Sequence, residues 1–159
     1  MTRYIGYPLG YLWTLPNTLV GCCFLPFTLF SGGEVRFSRG AMELYGGFVA
    51  WYLRKLCGGV GSMTLGHVIL SRDRRMLDYT RDHEHVHVGQ YMRWGPLFIP
   101  MYVLSSMMCK WKGLNPYFEN RFERVAYGLF PCYGEPPACE EKPAEAAVAA
   151  VPATGEKPA

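Results

Sequence analysis

Charged side chains are scarce in this 159-residue chain: Asp, Glu, Lys and Arg together make up 18%, and the formal net charge is +3. The sequence has no glycine-rich phosphate loop, no dinucleotide-binding fingerprint and no long basic run. None of the six cysteines forms a C-x-x-C pair, which argues against a zinc site built from thiolates. These absences exclude nucleotides bound by such loops, and nucleic acid, from the predicted partners.

Charge is absent altogether from residue 5 to residue 31. The apolar run Leu9–Phe30 has 22 residues, and about 20 are enough to span the hydrocarbon core of a bilayer. Because Pro16 and Pro26 interrupt it, the run predicts a kinked transmembrane helix or a membrane-inserted hairpin. A buried core segment and a cleaved signal are the alternatives. More basic residues follow the run than precede it, which favours a cytoplasmic position for the rest of the chain.

The composition predicts three regions. They are an apolar, membrane-inserted segment at 1–33, a compact domain at 34–133 and a disordered tail rich in Ala, Pro, Glu and Lys at 134–159. Cys132 and Cys139, on either side of the last boundary, could form a disulfide in an oxidising compartment or stay reduced.

The compact domain opens with alternating polar and apolar residues that predict a β-hairpin over 34–47, with its turn at Arg39-Gly40. Residues 48–56 fit a short amphipathic helix or a further strand, and 63–70 fit a strand that contains His67. Later apolar stretches predict a helix over 97–112 and a last helix that ends near Gly128. The expected fold class is α+β: an N-terminal apolar segment, a small sheet, one long histidine-bearing helix and two further helices.

Three of the four histidines fall within five residues, in the run His83-Glu84-His85-Val86-His87. On an α-helix, positions four apart lie on one face, so His83 and His87 could bind one metal ion together. Glu84 then lies about 100° around the helix, beside the position of a metal-bound water. This H-E-x-x-H pattern is typical of zinc-dependent hydrolases, in which the glutamate takes a proton from the water.

A β-strand is an alternative for this run, because alternate residues would place all three histidines on one face. The helix is favoured, because a set of residues suited to one buried face recurs at three- and four-residue steps, which is helical spacing: Met76, Thr80, His83, His87, Tyr91 and Trp94. Gly95-Pro96 then ends the segment. A chance cluster of histidines that binds no metal is the remaining alternative.

A catalytic zinc site needs a third protein ligand and an open fourth position. No histidine follows His87, so the third ligand should be acidic or a cysteine, and Glu119 and Glu123 are the candidates. They are four residues apart and could share one face of a second helix, with one binding metal and the other orienting a ligand. A surface helix with Glu–Arg pairs is the alternative.

Three motifs together resemble those of a group of small bacterial proteins of the gluzincin type: H-E-x-x-H-x-x-Q at 83–90, W-G-P-L-F-I-P-x-Y at 94–102 and N-x-F-E-x-x-A at 120–126. Gluzincins are zinc metallopeptidases whose third ligand is a downstream glutamate. The resemblance covers about residues 60–128 and implies a zincin-like fold and Zn²⁺ as cofactor. The resemblance does not supply a substrate, and a peptide or protein is the expected class. In zincin-like folds an edge strand ahead of the active helix can pair with an extended peptide, and by analogy the strand at 63–70 is expected to do so. The apolar run and the basic residues after it predict a place at the bacterial inner membrane.

The resemblance maps the third ligand onto Glu123, whereas Arg121 replaces a proline of the family motif and keeps Glu119 as an alternative. Glu84 is then the expected general base. Gln90, one turn after His87 on the same face, is expected to contact a ligand side chain or the substrate. Three tyrosines are candidates for stabilising an oxyanion: Tyr102, Tyr117 and Tyr127. The alternatives are a membrane protein that binds zinc without catalysis, such as an assembly factor, and a structural membrane protein with an incidental histidine cluster.

Overall fold

The computed structural model describes residues 8–129, and the α+β class expected from the sequence is confirmed for this part of the chain. The elements follow in the order α1 (Pro8–Cys22), α2 (Phe24–Phe30), β1 (Glu34–Ser38), β2 (Ala41–Tyr45), α3 (Gly47–Lys55), β3 (Ser62–Leu65), β4 (Val68–Ser71), α4 (Arg74–Trp94), a 3₁₀ turn (Gly95–Leu97), α5 (Phe98–Trp111) and α6 (Arg121–Leu129). The predicted tail at 134–159 and the pair Cys132 and Cys139 lie outside the described residues.

A mixed four-stranded sheet in the order β1-β2-β4-β3 forms the centre of the fold. β1 and β2 form the antiparallel hairpin predicted from the alternating pattern, and both turn residues, Arg39 and Gly40, have positive φ. β2 pairs in parallel with β4, and β4 pairs antiparallel with β3. The edge strands are therefore β1 and β3.

The single strand predicted over 63–70 is wrong, because the chain reverses at Gly66-His67 and forms the two paired strands β3 and β4. Gly66 has φ +64°, a left-handed conformation that glycine adopts without steric cost. A Cβ atom at this position would lie 2.6 Å from the backbone nitrogen of Thr18 in α1. His67 therefore lies in a tight turn against α1 instead of inside a strand.

Helices cover both faces of the sheet. Strand residues and α3 form one buried cluster: Leu44, Val49, Leu53, Val68 and Leu70. Strand residues and α4 form the other: Ala41, Tyr45, Ile69, Leu77 and Val88. Each fully buried aliphatic side chain stabilises the fold by about 1.5–3 kcal/mol. Of the two structures that residues 48–56 fitted, the helix is the one formed, and it closes one face of the core.

The histidine run lies on α4, so the helix predicted there is confirmed and the strand alternative is wrong. The helix begins after Asp73, whose carboxylate accepts the N–H of Met76 at 2.8 Å as an N-cap. It ends at Trp94, and Gly95 follows with φ +54°. Fully buried Glu43 of β2 accepts two hydrogen bonds, of 2.8 and 3.3 Å, from Arg81, which fixes α4 on the sheet.

The apolar run forms two helices, α1 and α2, and the break falls at Cys23 instead of at a proline. Pro16 lies within α1, and Pro26 lies in the first turn of α2, where a missing N–H is tolerated. By length and composition, the run could cross a membrane. α1 also packs against β3, β4 and α4, so it lies along the domain.

Glu119 and Glu123 do not share one face of a helix, contrary to prediction. α6 starts only at Arg121, and Glu119 belongs to the turn before it. The helix predicted over 97–112 is confirmed for most of its length, because α5 forms at Phe98–Trp111, directly after the 3₁₀ turn. Buried Phe122 packs on the Trp94 and Phe98 rings and so holds α6 against α4 and α5.

Candidate metal centre

Two imidazoles on one face of α4 begin the candidate centre. His83 and His87 are both buried, and their Nε2 atoms lie 3.2 Å apart because residues four apart meet on a helix surface. His85 is turned elsewhere: its Nδ1 is 2.8 Å from the carbonyl oxygen of Arg81, and its Nε2 is 3.3 Å from that of Ser38. His85 thus links α4 to the hairpin and takes no part in the pair.

Glu123 reaches the same point from α6. Its Oε2 atom is 3.2 Å from His83 Nε2, and its Oε1 atom is 3.4 Å from His87 Nε2. The ligand atoms of these three buried residues all lie within 4.8 Å of one another. The group His83–His87–Glu123 could therefore hold a metal ion.

Asn120 fixes the start of α6 and thereby the position of Glu123. Its Oδ1 accepts the N–H of Phe122 at 2.9 Å, and its Nδ2 donates to the Tyr102 carbonyl at 3.1 Å and to Ser106 Oγ at 2.7 Å. The side chain is fully buried between α5 and α6. No role for Asn120 was predicted, although asparagine just before a helix is a favoured N-cap and would have indicated one.

Two buried polar atoms of the ligand group, His83 Nδ1 and Glu123 Oε2, have no hydrogen-bond partner in the described part of the chain. Two imidazole nitrogens that face each other at 3.2 Å can share one proton at most. Because buried polar atoms are costly to leave unpaired, this donor set fits a metal ion.

Burial and neighbouring charges have opposite effects on the pKa values of His87 and Glu123. Burial lowers the pKa of His87, but its hydrogen bond to Glu123 and the charges of Glu84 and Glu123 outweigh burial and raise the pKa to about 9. Burial raises the pKa of Glu123, but its close contacts with the His83 and His87 imidazoles outweigh burial and bring the pKa to about 2. The carboxylate is therefore ionised and attracts positive charge, either a proton or a metal ion.

Glu84 is buried beside the ligand group without belonging to it. Its Oε2 accepts a hydrogen bond of 2.7 Å from the Thr64 hydroxyl, which also lies 3.3 Å from the Glu84 carbonyl oxygen. The Thr80 hydroxyl donates to Ser62 Oγ at 2.8 Å. Two alternate residues of β3, Ser62 and Thr64, are thus hydrogen-bonded to two residues four apart on α4, Thr80 and Glu84. This contact, which the sequence motifs did not indicate, brings edge strand β3 directly alongside Glu84.

Gln90 contacts both helices that carry the candidate ligands. Its Oε1 accepts the Nδ1–H of His87 at 2.9 Å, and its Nε2 donates to the Phe122 carbonyl at 3.0 Å. The first bond selects the imidazole tautomer in which Nε2 is the atom that accepts a metal. The second bond holds the backbone just before Glu123.

The three tyrosines occupy different places around the centre. The Tyr102 hydroxyl donates to Glu123 Oε1 at 2.7 Å, so it orients this carboxylate. The Tyr127 ring packs on His83 with ring centroids 4.6 Å apart, and its oxygen is 3.3 Å from that of Tyr117. Burial, followed by the charge of Glu123, raises the pKa of Tyr117, so its hydroxyl keeps its proton.

Glu119 and His67 lie apart from the ligand group. The Glu119 side chain is 45% exposed, and its Oε2 is 3.9 Å from Arg124 Nη1. His67 Nδ1 is hydrogen-bonded to Thr14 Oγ1 at 2.9 Å, and its ring stacks on Tyr11. Of the two acidic candidates, only Glu123 meets the histidines.

Comparison of this chain with protein-family models, with curated proteins and with solved structures finds no match. The gluzincin resemblance therefore rests on the sequence motifs alone. The arrangement of His83, His87, Glu123 and Glu84 is the physical basis for assigning a function.

Proposed function

We propose that this protein is a membrane-associated zinc hydrolase of the gluzincin type, a metallopeptidase that acts on peptide or protein substrates. The observation that carries the proposal is the convergence of His83 and His87 with a carboxylate from a distant helix, Glu123. Glu84, next to His83 in sequence, supplies the acid–base group that hydrolysis requires.

Zinc is the metal that this donor set favours. Two histidines and one carboxylate are a known set of catalytic zinc ligands, whereas Mg²⁺ and Ca²⁺ prefer oxygen ligands alone. Two nitrogens at about 2.0–2.1 Å from a tetrahedral zinc ion are about 3.3 Å apart. The Nε2 atoms of His83 and His87 lie 3.2 Å apart, which agrees with this requirement.

When bound, zinc would lower the pKa of a coordinated water to about 7 and polarise a substrate carbonyl. The Glu84 carboxylate would accept the proton of the attacking water and pass it to the leaving nitrogen. The Thr64 hydroxyl, 2.7 Å from Glu84 Oε2, limits rotation of this carboxylate. Tyr102, Tyr117 and Tyr127 are the candidate donors to an oxyanion, and Tyr102 also donates to Glu123.

The position of β3 supports substrate binding along that strand. β3 is an edge strand of the sheet, and Thr64 in this strand contacts Glu84. An extended peptide that paired with the edge would pass close to the general base. The apolar run Leu9–Phe30 supports membrane association. The basic residues that follow it favour the cytoplasmic side of a bacterial inner membrane.

Metal content of purified variants tests the ligand assignment. We expect one zinc ion per chain in the wild type and its loss in Glu123→Ala, measured by elemental mass spectrometry. Glu119→Ala is the matched control and should keep its zinc, because the Glu119 side chain is 45% exposed in the turn before α6. Equal zinc in all three proteins would overturn the assignment of Glu123.

Turnover by the wild type and by the variant Glu84→Gln tests the catalytic step. Glu84→Gln should keep zinc but lose hydrolysis of unfolded or membrane-protein substrates by about 10²–10⁴-fold, since general acid–base catalysis contributes about this factor. Unchanged turnover would exclude Glu84 as the base. Stoichiometric zinc without hydrolysis by the wild type would instead indicate a zinc-binding protein that does not catalyse, such as an assembly factor.

A further inference from the structure

The outer face of α5 is apolar and open within the described structure. Exposed apolar side chains follow one another along the helix: Ile99, Val103, Leu104, Met107, Met108 and Trp111. Lys110, in the last turn, is its only charged residue. An exposed apolar face of this length, with a charge only in its last turn, is unusual for a soluble protein and points to a binding surface.

α1 is fixed to the start of α5 through the 3₁₀ turn. Asn17 Nδ2 donates to the Gly95 carbonyl at 2.8 Å, and a Cβ atom on Gly95 would lie 2.4 Å from the indole nitrogen of Trp13. Leu97 in this turn is itself exposed. α1 and the start of α5 are therefore neighbours at this turn.

The contacts of α1 show that it cannot leave the domain freely. Thr14 and Thr18 bind the β3–β4 turn through His67, and a Cβ atom on Gly21 would lie 2.6 Å from Val68 Cβ. The opposite face of α1, continued by α2, exposes several large apolar side chains: Leu9, Leu12, Leu19, Val20, Phe27 and Phe30. A helix packed in this way along the sheet can lie in a membrane surface, but crossing the bilayer would break its polar contacts with the domain.

Aromatic and basic side chains lie together beside both apolar faces. Trp111 is 76% exposed between Lys110 and Lys112. Trp51 is exposed one turn before Arg54 on α3, the helix that packs against α2. Indole rings and cations in this combination suit the headgroup region of a bilayer, where anionic phosphates lie next to hydrocarbon. This charge pattern selects a lipid surface over a second copy of the chain, which would bring like charges together.

We propose that α5 is a second membrane-embedded element. Its outer face and the open face of α1 and α2 lie in one leaflet of an anionic bilayer, and the protein rests on the membrane without crossing it. α5 also supplies Tyr102, which contacts Glu123. The candidate centre then lies about one helix diameter, ~10 Å, from the lipid-facing side. Access for substrates at the membrane surface rests on the proposed function, whereas the lipid contact itself does not.

Photocrosslinking of the full chain in vesicles of phosphatidylcholine and phosphatidylglycerol tests this proposal. A benzophenone amino acid replaces Val103 on α5, Leu12 on α1 or Val125 on α6. Val125 is the matched control, because it is 47% exposed, compared with 49% for Val103, but it shares a surface hollow with the charged residues Glu119, Arg121 and Arg124. We expect lipid adducts at positions 103 and 12 and only background at 125.

Each other result overturns the proposal in a distinguishable way. Lipid adducts at 12 but not at 103 would leave α1 and α2 in the membrane and exclude α5. Protein adducts at 103, with a second copy or with the chain's own residues 130–159, would assign α5 to a protein contact. Equal lipid adducts at 103 and 125 would show unspecific labelling. Absence of lipid adducts at all three positions would also exclude the membrane association in the proposed function, without bearing on zinc.

Discussion

Three of the four groups at the centre, His87, Glu123 and Glu84, are each oriented by a neighbouring polar side chain. Gln90 accepts from His87, Tyr102 donates to Glu123, and Thr64 donates to Glu84. Such outer contacts limit the rotation of metal ligands, so metal affinity depends on them as well as on the ligands. Helical spacing predicts that the two histidines meet and that Gln90 lies beside His87. It does not predict the contacts of Tyr102 and Thr64, which come from two other elements.

Removal of the Gln90 side-chain amide should lower the affinity of the centre for zinc. We expect Gln90→Met to reduce zinc affinity by about 10–100-fold, because His87 loses the acceptor that selects its tautomer. Gln90→Glu keeps an acceptor for His87 Nδ1–H while losing the donor to the Phe122 carbonyl. It should therefore stay closer to the wild type. Competition with a chromophoric chelator measures all three affinities, and an unchanged affinity in Gln90→Met would contradict this role.

At the scale of elements, local patterns predict structure best where the neighbours of an element are also local. The β1–β2 hairpin and the length of α4 follow from alternation, helical spacing and the stop at Gly95-Pro96. The turn at Gly66-His67 was missed because β-favouring residues flank it on both sides. Its conformation is fixed by contact with Thr18 of α1, far away in sequence.

The close approach of Gly66 to α1 leads to a prediction with a matched control. Gly58→Ala should cost about 1 kcal/mol in the free energy of unfolding, because φ is +68° there and the space around it is open. Gly66→Ala has the same backbone strain at φ +64° and adds a clash with the Thr18 backbone. We expect an additional loss of about 1–3 kcal/mol.

Thermal unfolding in a mild detergent measures this difference. Each kcal/mol should lower the midpoint by about 2–4 °C for a chain of this size. Similar midpoints for the two alanine variants would show that α1 is not tightly packed on the β3–β4 turn.

For the whole molecule, the position of Glu123 depends on the path of α5 and α6. α5 leads the chain away from α4, and α6 brings it back so that Phe122 packs on Trp94. A metal ion at His83, His87 and Glu123 would therefore join α4 to α6 and stabilise the native state only. Its effect on stability follows from mass action.

Zinc should raise the unfolding temperature of the chelator-treated protein. At a free zinc concentration about 1,000 times the dissociation constant, the gain is about 4 kcal/mol, or a shift of about 8–16 °C. Glu84→Gln should show the same shift and Glu123→Ala should show none, as measured by differential scanning calorimetry. Mg²⁺ at equal concentration should have little effect, because it prefers oxygen ligands. A shift of equal size in Glu123→Ala would place the bound metal elsewhere.

The sequence by itself determined the α+β class, the helix that pairs His83 with His87, and the uncharged run Leu9–Phe30, because each depends on residues within a few turns of one another. The tertiary structure alone decided between Glu119 and Glu123, since capping by Asn120 starts α6 too late to include Glu119. It also decided that α1 lies along the sheet, because the contacts of Thr14, Asn17 and Thr18 are with residues distant in sequence. Spacing can place side chains on one helix face, but only packing determines which faces meet.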